Sequence, residues 1–94
     1  MTTDIDCQIG ARLRARRRLL GLSQTVLGNA VGVRFQQIQK YECAANTISA
    51  GRLWALALRL GVGMDYFFDG LRYDARGRPD RLVAELQTAV VANP

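Results

Sequence analysis

Residues Gln24 to Glu42 read QTVLGNAVGVRFQQIQKYE, with apolar residues at Val26, Leu27, Val31, Val33, Ile38 and Tyr41. Leu27 and Val31 stand one helical turn apart, as do Ile38 and Tyr41, so each pair shares one face of a short helix. Gly32 lies between the pairs, where a sharp corner can take a positive φ without a steric penalty. The spacing predicts two short amphipathic helices meeting across a tight glycine turn. The polar positions of the second helix, Gln36, Gln37, Gln39 and Lys40, then have no core to face and are free to meet a partner.

The segments on either side read as support for this helix-turn-helix. Upstream, CQIGARLRARRRLL predicts a first helix with Asp6 as N-cap and Gly21 as a left-handed stop. Its inward face carries Ile9, Leu13 and Leu20 with Arg17 between, while Arg12, Arg14, Arg16 and Arg18 fall largely on the other faces. Those four arginines are expected to act together as an attraction for phosphate. Ser23 is placed to cap the second helix. Gly28, in mid-helix, costs ~1 kcal/mol relative to alanine, and a close approach of the two helices explains it. Downstream, Ser49 opens a fourth helix with an inward stripe of Leu53, Leu56, Ala57 and Leu60, ended by Gly61. MDYFFDGL is a short fifth helix with Phe67 and Phe68 as core residues.

Residues 72–79 (RYDARGRP) read as a linker. Residues 80–92 are expected to form a last helix, with proline and aspartate suited to its first turn and Leu82, Val83, Leu86, Ala89 and Val90 on one face. That stripe either docks on its own domain or pairs with a second chain, and Trp54, off the main stripe of its helix, is a candidate to meet it. The dimer candidates are therefore Leu82, Val83, Leu86, Val90 and Trp54. Residues 1–6 are expected to be flexible, residues 7–71 to form the domain, and the fold class is all-α: five helices with an additional C-terminal helix.

Ninety-four residues make one small domain. No apolar run approaches the roughly 20 residues of a membrane span, and the acidic N-terminus does not resemble a signal peptide. The expectation is a cytoplasmic protein without membrane contact. The net charge of +5 is unevenly spread. From Arg12 to Arg59 nine basic residues face the single acid Glu42, a balance of +8. A polyanion is the natural partner of that stretch. Histidine is absent, and Cys7 and Cys43 form no CxxC pair, which removes the usual zinc sites and histidine-based catalysis. With no GxxxxGK[ST], no GxSxG and no paired carboxylates on a helix face, neither an enzyme nor a cofactor is expected. A Cys7–Cys43 disulfide is not expected in a reducing compartment. The 24 residues from Leu71 to Pro94 are too few for an effector-binding domain.

Taken together, IGARLRARRRLLGLSQ, LGNAVGV, FQQIQKYE and ISAGRLWALALRLGV resemble the lambda-repressor/Cro type of helix-turn-helix DNA-binding domain, the XRE family of bacterial regulators. The resemblance covers about Ile9 to Leu71. It implies a third helix, about residues 34–42, in the DNA major groove, with the second helix bracing it. It implies that Gln24 binds a phosphate and steadies the first reading residue. Phe35, Gln36, Gln39 and Lys40 match base-reading positions. A glutamine amide at Gln36 suits adenine, Phe35 a thymine methyl, and Lys40 a guanine or phosphate. Gln24, Arg34, Gln37, Arg14 and Arg18 form the expected phosphate-binding set. Arg17 and Glu42 match an ion pair joining the first helix to the end of the third. One departure stands out: Cys43-Ala44-Ala45 replaces the glycine-bearing stop common after the Tyr-Glu. Alanine is disfavoured at φ > 0, so the stop is expected to be built differently and some phosphate contacts to be missing. The implied function is a sequence-specific regulator of transcription binding a double-stranded DNA operator as a homodimer. The rival is a protein-interaction module, such as an antitoxin or anti-repressor, on the same fold.

Overall fold

The computed structural model describes residues 3–71; the expected linker (72–79), the expected last helix (80–92) and Leu82, Val83, Leu86 and Val90 lie outside the described residues. Five helices follow in order: α1 (Asp4–Leu19), α2 (Gln24–Val31), α3 (Phe35–Glu42), α4 (Ala50–Leu60) and α5 (Asp65–Phe68). No strand occurs among the described residues.

α1 begins earlier than the Asp6 cap predicts. Thr3 is the N-cap, and Asp6 is the third helical residue of a reciprocal capping box. The Thr3 N–H donates to the Asp6 carboxylate at 2.7 Å and the Asp6 N–H to the Thr3 hydroxyl at 3.3 Å. Two otherwise orphaned donors are satisfied at once, and Asp4 and Asp6 place negative charge at the positive end of the helix. Residues 4–6 are therefore helical, and the expected flexible segment 1–6 is corrected to that extent. Ser23 and Ser49 cap α2 and α4 as the sequence predicts, accepting from the backbone N–H groups of Val26 and Arg52.

α1 to α4 share one kind of stop. Each ends in a residue at positive φ, followed by an N–H that reaches five residues back: Leu22 to Arg17, Val33 to Gly28, Ala45 to Lys40 and Val62 to Ala57. The positive-φ residues are Gly21, Gly32 and Gly61 for α1, α2 and α4, and Ala44 at φ 59° for α3. The expectation that alanine forces a different stop is thus overturned. The loop keeps the usual left-handed cap, and Ala44, 7% exposed, buries its methyl group there. Burying one methyl contributes about 0.8 kcal/mol, which offsets much of the ~1–2 kcal/mol that a left-handed alanine costs.

The core joins all five helices: Ile9 and Leu13 from α1, Leu27 from α2, Ile38 and Tyr41 from α3, Leu53, Leu56, Ala57 and Leu60 from α4, and Phe67 from α5. The α4 stripe is the one the sequence predicts. Two expectations fail at its edges. Leu20 is 42% exposed and Phe68 38% exposed, because each lies at or past a helix end, where the apolar period no longer follows the core. Glycines let backbones touch. A Cβ on Gly28 would lie 2.6 Å from the Val33 carbonyl oxygen, so that glycine serves the turn folding back on α2 rather than the approach of the two helices in general. A Cβ on Gly10 would lie 2.4 Å from the Tyr41 oxygen and 2.8 Å from that of Glu42, so α1 seats the end of α3 by backbone contact.

Candidate nucleic-acid interface

α3 is positioned from its buried side. Ile38 is fully buried and Tyr41 nearly so, which turns Phe35, Gln36, Gln39 and Lys40 outward; all four are exposed. Phe35, an aromatic residue 44% exposed at the start of α3, is well suited to an apolar contact with a partner.

α3 stands as a ridge between two open clefts. One, of about 520 Å³, lies between α1, the start of α2 and the end of α3, and its walls include Arg14, Arg18, Ser23, Gln24, Gln39 and Cys43. The other, of about 400 Å³, runs along the turn and is lined by Gly32, Val33, Arg34, Gln36, Gln37 and Lys40. The structure therefore brings Arg14, Arg18, Gln24 and Gln39 to one flank of the ridge and Arg34, Gln36, Gln37 and Lys40 to the other. The first cleft also receives the N-terminus of α2, whose unpaired N–H groups and dipole favour an anion.

The nine basic residues between Arg12 and Arg59 divide into two groups. Arg12 donates to the carbonyls of Tyr66 and Asp69 at 3.0 and 2.9 Å and lies 5.7 Å from the Tyr66 ring centre. Arg16 donates to the Leu60 carbonyl at 2.9 Å, and Arg52 donates to the Val31 carbonyl. Those two guanidiniums cap the negative ends of α4 and α2. Arg17 is engaged with Glu42. The remaining five, Arg14, Arg18, Arg34, Lys40 and Arg59, are exposed. The expectation that Arg12, Arg14, Arg16 and Arg18 act together on phosphate is corrected for Arg12 and Arg16, whose donors face backbone carbonyls.

Arg17 and Glu42 form the ion pair the resemblance implies. Nε lies 2.6 Å from Oε2 and Nη2 3.0 Å from Oε1, in a bidentate fork, with the side chains 11% and 4% exposed. A further Arg17 N–H reaches the Leu22 carbonyl at 2.8 Å. Hydrogen bonding to Glu42 holds the Arg17 guanidinium above its usual pKa range, so it stays charged throughout the working range of a protein. Gln24 joins them: its Nε2 donates to Glu42 Oε1 at 3.1 Å. Through this bond Gln24 steadies the far end of α3. The carboxylate, a full charge, attracts the amide N–H more strongly than the Phe35 side chain, which offers no acceptor. Gln37, expected on phosphate, has its amide nitrogen turned to Asn46 Oδ1 at 3.2 Å.

Several residues important to this face escape the sequence reading. Gly10, a glycine inside α1 one turn before Leu13, is the one with a legible signal. Gln8 is fully buried and donates to the Phe67 and Asp69 carbonyls, tying α5 to α1. Asn46 shows nothing in sequence to mark it. Trp54 is 59% exposed and shares a groove with Leu58, Val62 and Met64. Cys7 and Cys43 are both exposed and free. Among the described residues, no helix is long and apolar enough to cross a membrane.

Residues 13–67 match the protein family described as "Helix-turn-helix". A transcriptional regulator in the ATPase CF(0) region of Rhodospirillum rubrum is 49% identical over 75 residues, which are 80% of this chain and 67% of that protein. An HTH-type transcriptional regulator of Sinorhizobium fredii is 44% identical over 72 residues, 77% of this chain and 50% of its own; the chain thus spans about half the length of some of the curated relatives it matches. Among solved structures, the P22 c2 repressor protein in complex with a synthetic operator superposes with a TM-score of 0.62 at 35% identity, covering 66% of this chain and 94% of that one.

Proposed function

The chain belongs to the helix-turn-helix family, in its lambda-repressor-like branch of DNA-binding transcriptional regulators, and from that premise we propose that it reads a specific double-stranded operator with α3 in the major groove. The observation that carries this is the ridge: four exposed side chains of α3 with basic clefts on both flanks. In this reading Phe35, Gln36, Gln39 and Lys40 meet base edges. Arg14, Arg18 and Gln24, with the N-terminus of α2, hold phosphates on one side, and Arg34 holds them on the other. Phosphate contacts position the protein and base contacts give it sequence preference. The chain has no catalytic role and works in the cytoplasm.

The resemblance to a repressor seen with its operator supports this reading. The rival reading, a protein-interaction module, drew support from the Cys43-Ala44-Ala45 loop. That support falls away because Ala44 builds the ordinary stop. Salt separates the two readings. Binding of a duplex through several phosphates is expected to weaken steeply, with a slope near −0.9 per phosphate neutralised. Arg14→Ala and Arg18→Ala should each lower affinity for all sequences alike and reduce that slope by about one. Flat salt dependence, or slopes unchanged in both variants, contradicts the phosphate assignment.

The active form we propose is a homodimer. One short reading helix spans few base pairs, and two-fold pairing doubles the site. The exposed Trp54 and the apolar stripe of residues 80–92, with Leu82, Val83, Leu86 and Val90, are the proposed contact. Removing everything after Leu71 is expected to convert a sedimenting dimer to a monomer. A truncated chain that dimerises as the parent does removes the tail from the interface.

A further inference from the structure

Asn46, in the loop after α3, belongs to none of the roles assigned above, yet it is bonded to a side chain of the reading face. Its Oδ1 accepts from Gln37 Nε2 at 3.2 Å, and its own Nδ2 donates to the Ala45 carbonyl at 3.0 Å. The second bond orients the first. With the Asn46 amide nitrogen directed at Ala45, only its oxygen is left to face Gln37, and that oxygen can only accept. Gln37 must therefore turn its nitrogen toward Asn46 and its carbonyl oxygen away. The loop that carries Asn46 is itself pinned to α3: the Ala45 and Asn46 N–H groups both donate to the Lys40 carbonyl, at 2.8 and 3.3 Å. The stop built on Ala44 thus sets the orientation of a side chain that lines the cleft beside Gln36 and Lys40.

We propose that Asn46 is a positioning residue that makes Gln37 present its carbonyl oxygen to DNA, so that Gln37 favours a base bearing an exocyclic amino group. In the major groove those groups are adenine N6 and cytosine N4, whereas guanine and thymine offer only acceptors at the corresponding edge. Phosphate, which also only accepts, is a poor match for an outward oxygen, and this moves Gln37 from the phosphate set to the base-reading one. The inference rests on the proposed reading of DNA by α3.

The test is enrichment of bound sequences from random duplex DNA with the full chain and three variants. The parent is expected to recover a motif in which one position of each half-site prefers adenine or cytosine on one strand, and hence thymine or guanine on the other, and Gln37→Ala to lose preference at that position. Asn46→Ala should weaken it about fivefold, the worth of one oriented hydrogen bond, and leave the other positions as they were. Asn46→Asp keeps an oxygen facing Gln37 and should retain the preference while lowering overall affinity through its negative charge. A preference at the Gln37 position that separates only purines from pyrimidines, or an unchanged preference in Asn46→Ala, overturns the assignment. So does a uniform loss at all positions in that variant. A parent chain that recovers no motif at all overturns the DNA-reading proposal beneath it, an outcome distinct from any of these.

Discussion

Arg17 is the residue on which the placement of α3 most depends. Its guanidinium is bonded to both oxygens of Glu42 and to the Leu22 carbonyl, so it ties α1 to the end of α3 and to the entry of α2. Replacing a buried pair with apolar residues is often neutral, but removing one partner leaves the other charge stranded. Arg17→Leu is therefore expected to destabilise the fold by about 3 kcal/mol and to weaken operator binding further by loosening α3. Thermal melting and operator titration of that variant check both parts; an unchanged melting temperature together with unchanged affinity contradicts the role. The pair was legible through the family resemblance, with which the position of Glu42 as the one acid between Arg12 and Arg59 agrees. The division among the arginines was not. Arg12 and Arg16 look like Arg14 and Arg18 along the chain, and only the placement of α4 and α5 shows whose donors meet carbonyls. Asn46 was hidden for the same reason, since its partner is chosen by how the loop turns after Ala44.

At the scale of helices, the apolar period and the caps locate the elements, and close backbone contacts set how they meet. α1 reaches α3 at Gly10, where an added methyl group would collide with two backbone carbonyls that cannot swing aside. Gly10→Ala is expected to lower stability by about 1–3 kcal/mol, the usual range for overpacking, and to shift the end of α3. Gly51→Ala is the control: a Cβ there meets nothing within 4 Å, and alanine in a helix should gain up to about 1 kcal/mol. Opposite signs in denaturant melts support the contact. A stabilised Gly10→Ala would mean that α1 and α3 are not held at that distance. Ser23, Ser49, Gly21, Gly32 and Gly61 were readable as helix boundaries because capping chemistry is local. The start of α1 was misread for a related reason. Thr3 and Asp6 are both good caps, and they satisfy each other's backbone donors, so choosing between them requires the geometry. Leu20 and Phe68 were misplaced because a period continued past a helix end no longer reports on the core.

Over the whole molecule, the positive charge has two tasks. Arg12, Arg16, Arg17 and Arg52 bind the helices to one another through carbonyls and Glu42, while Arg14, Arg18, Arg34 and Lys40 stand on the flanks of α3, the proposed path of the phosphate backbone. The exposed residues of α3 lie between those flanks, so the proposed orienting and reading contacts share one surface. The general character of this surface was legible from the +8 balance and the polar second half of Gln24–Glu42, but the two clefts beside α3 emerge only from the packing of α1 against α3 and of α2 and its turn against α3. The claim that this ridge reads DNA is tested most directly by selecting bound sequences from random duplex DNA with the full chain, then repeating the selection with Gln36→Ala. The expected result is a motif with two-fold symmetry that loses preference at one position per half-site in the variant, by about 1–3 kcal/mol of discrimination. Recovery of no motif, or of the same motif with Gln36 replaced, contradicts the assignment of α3 as the reading helix.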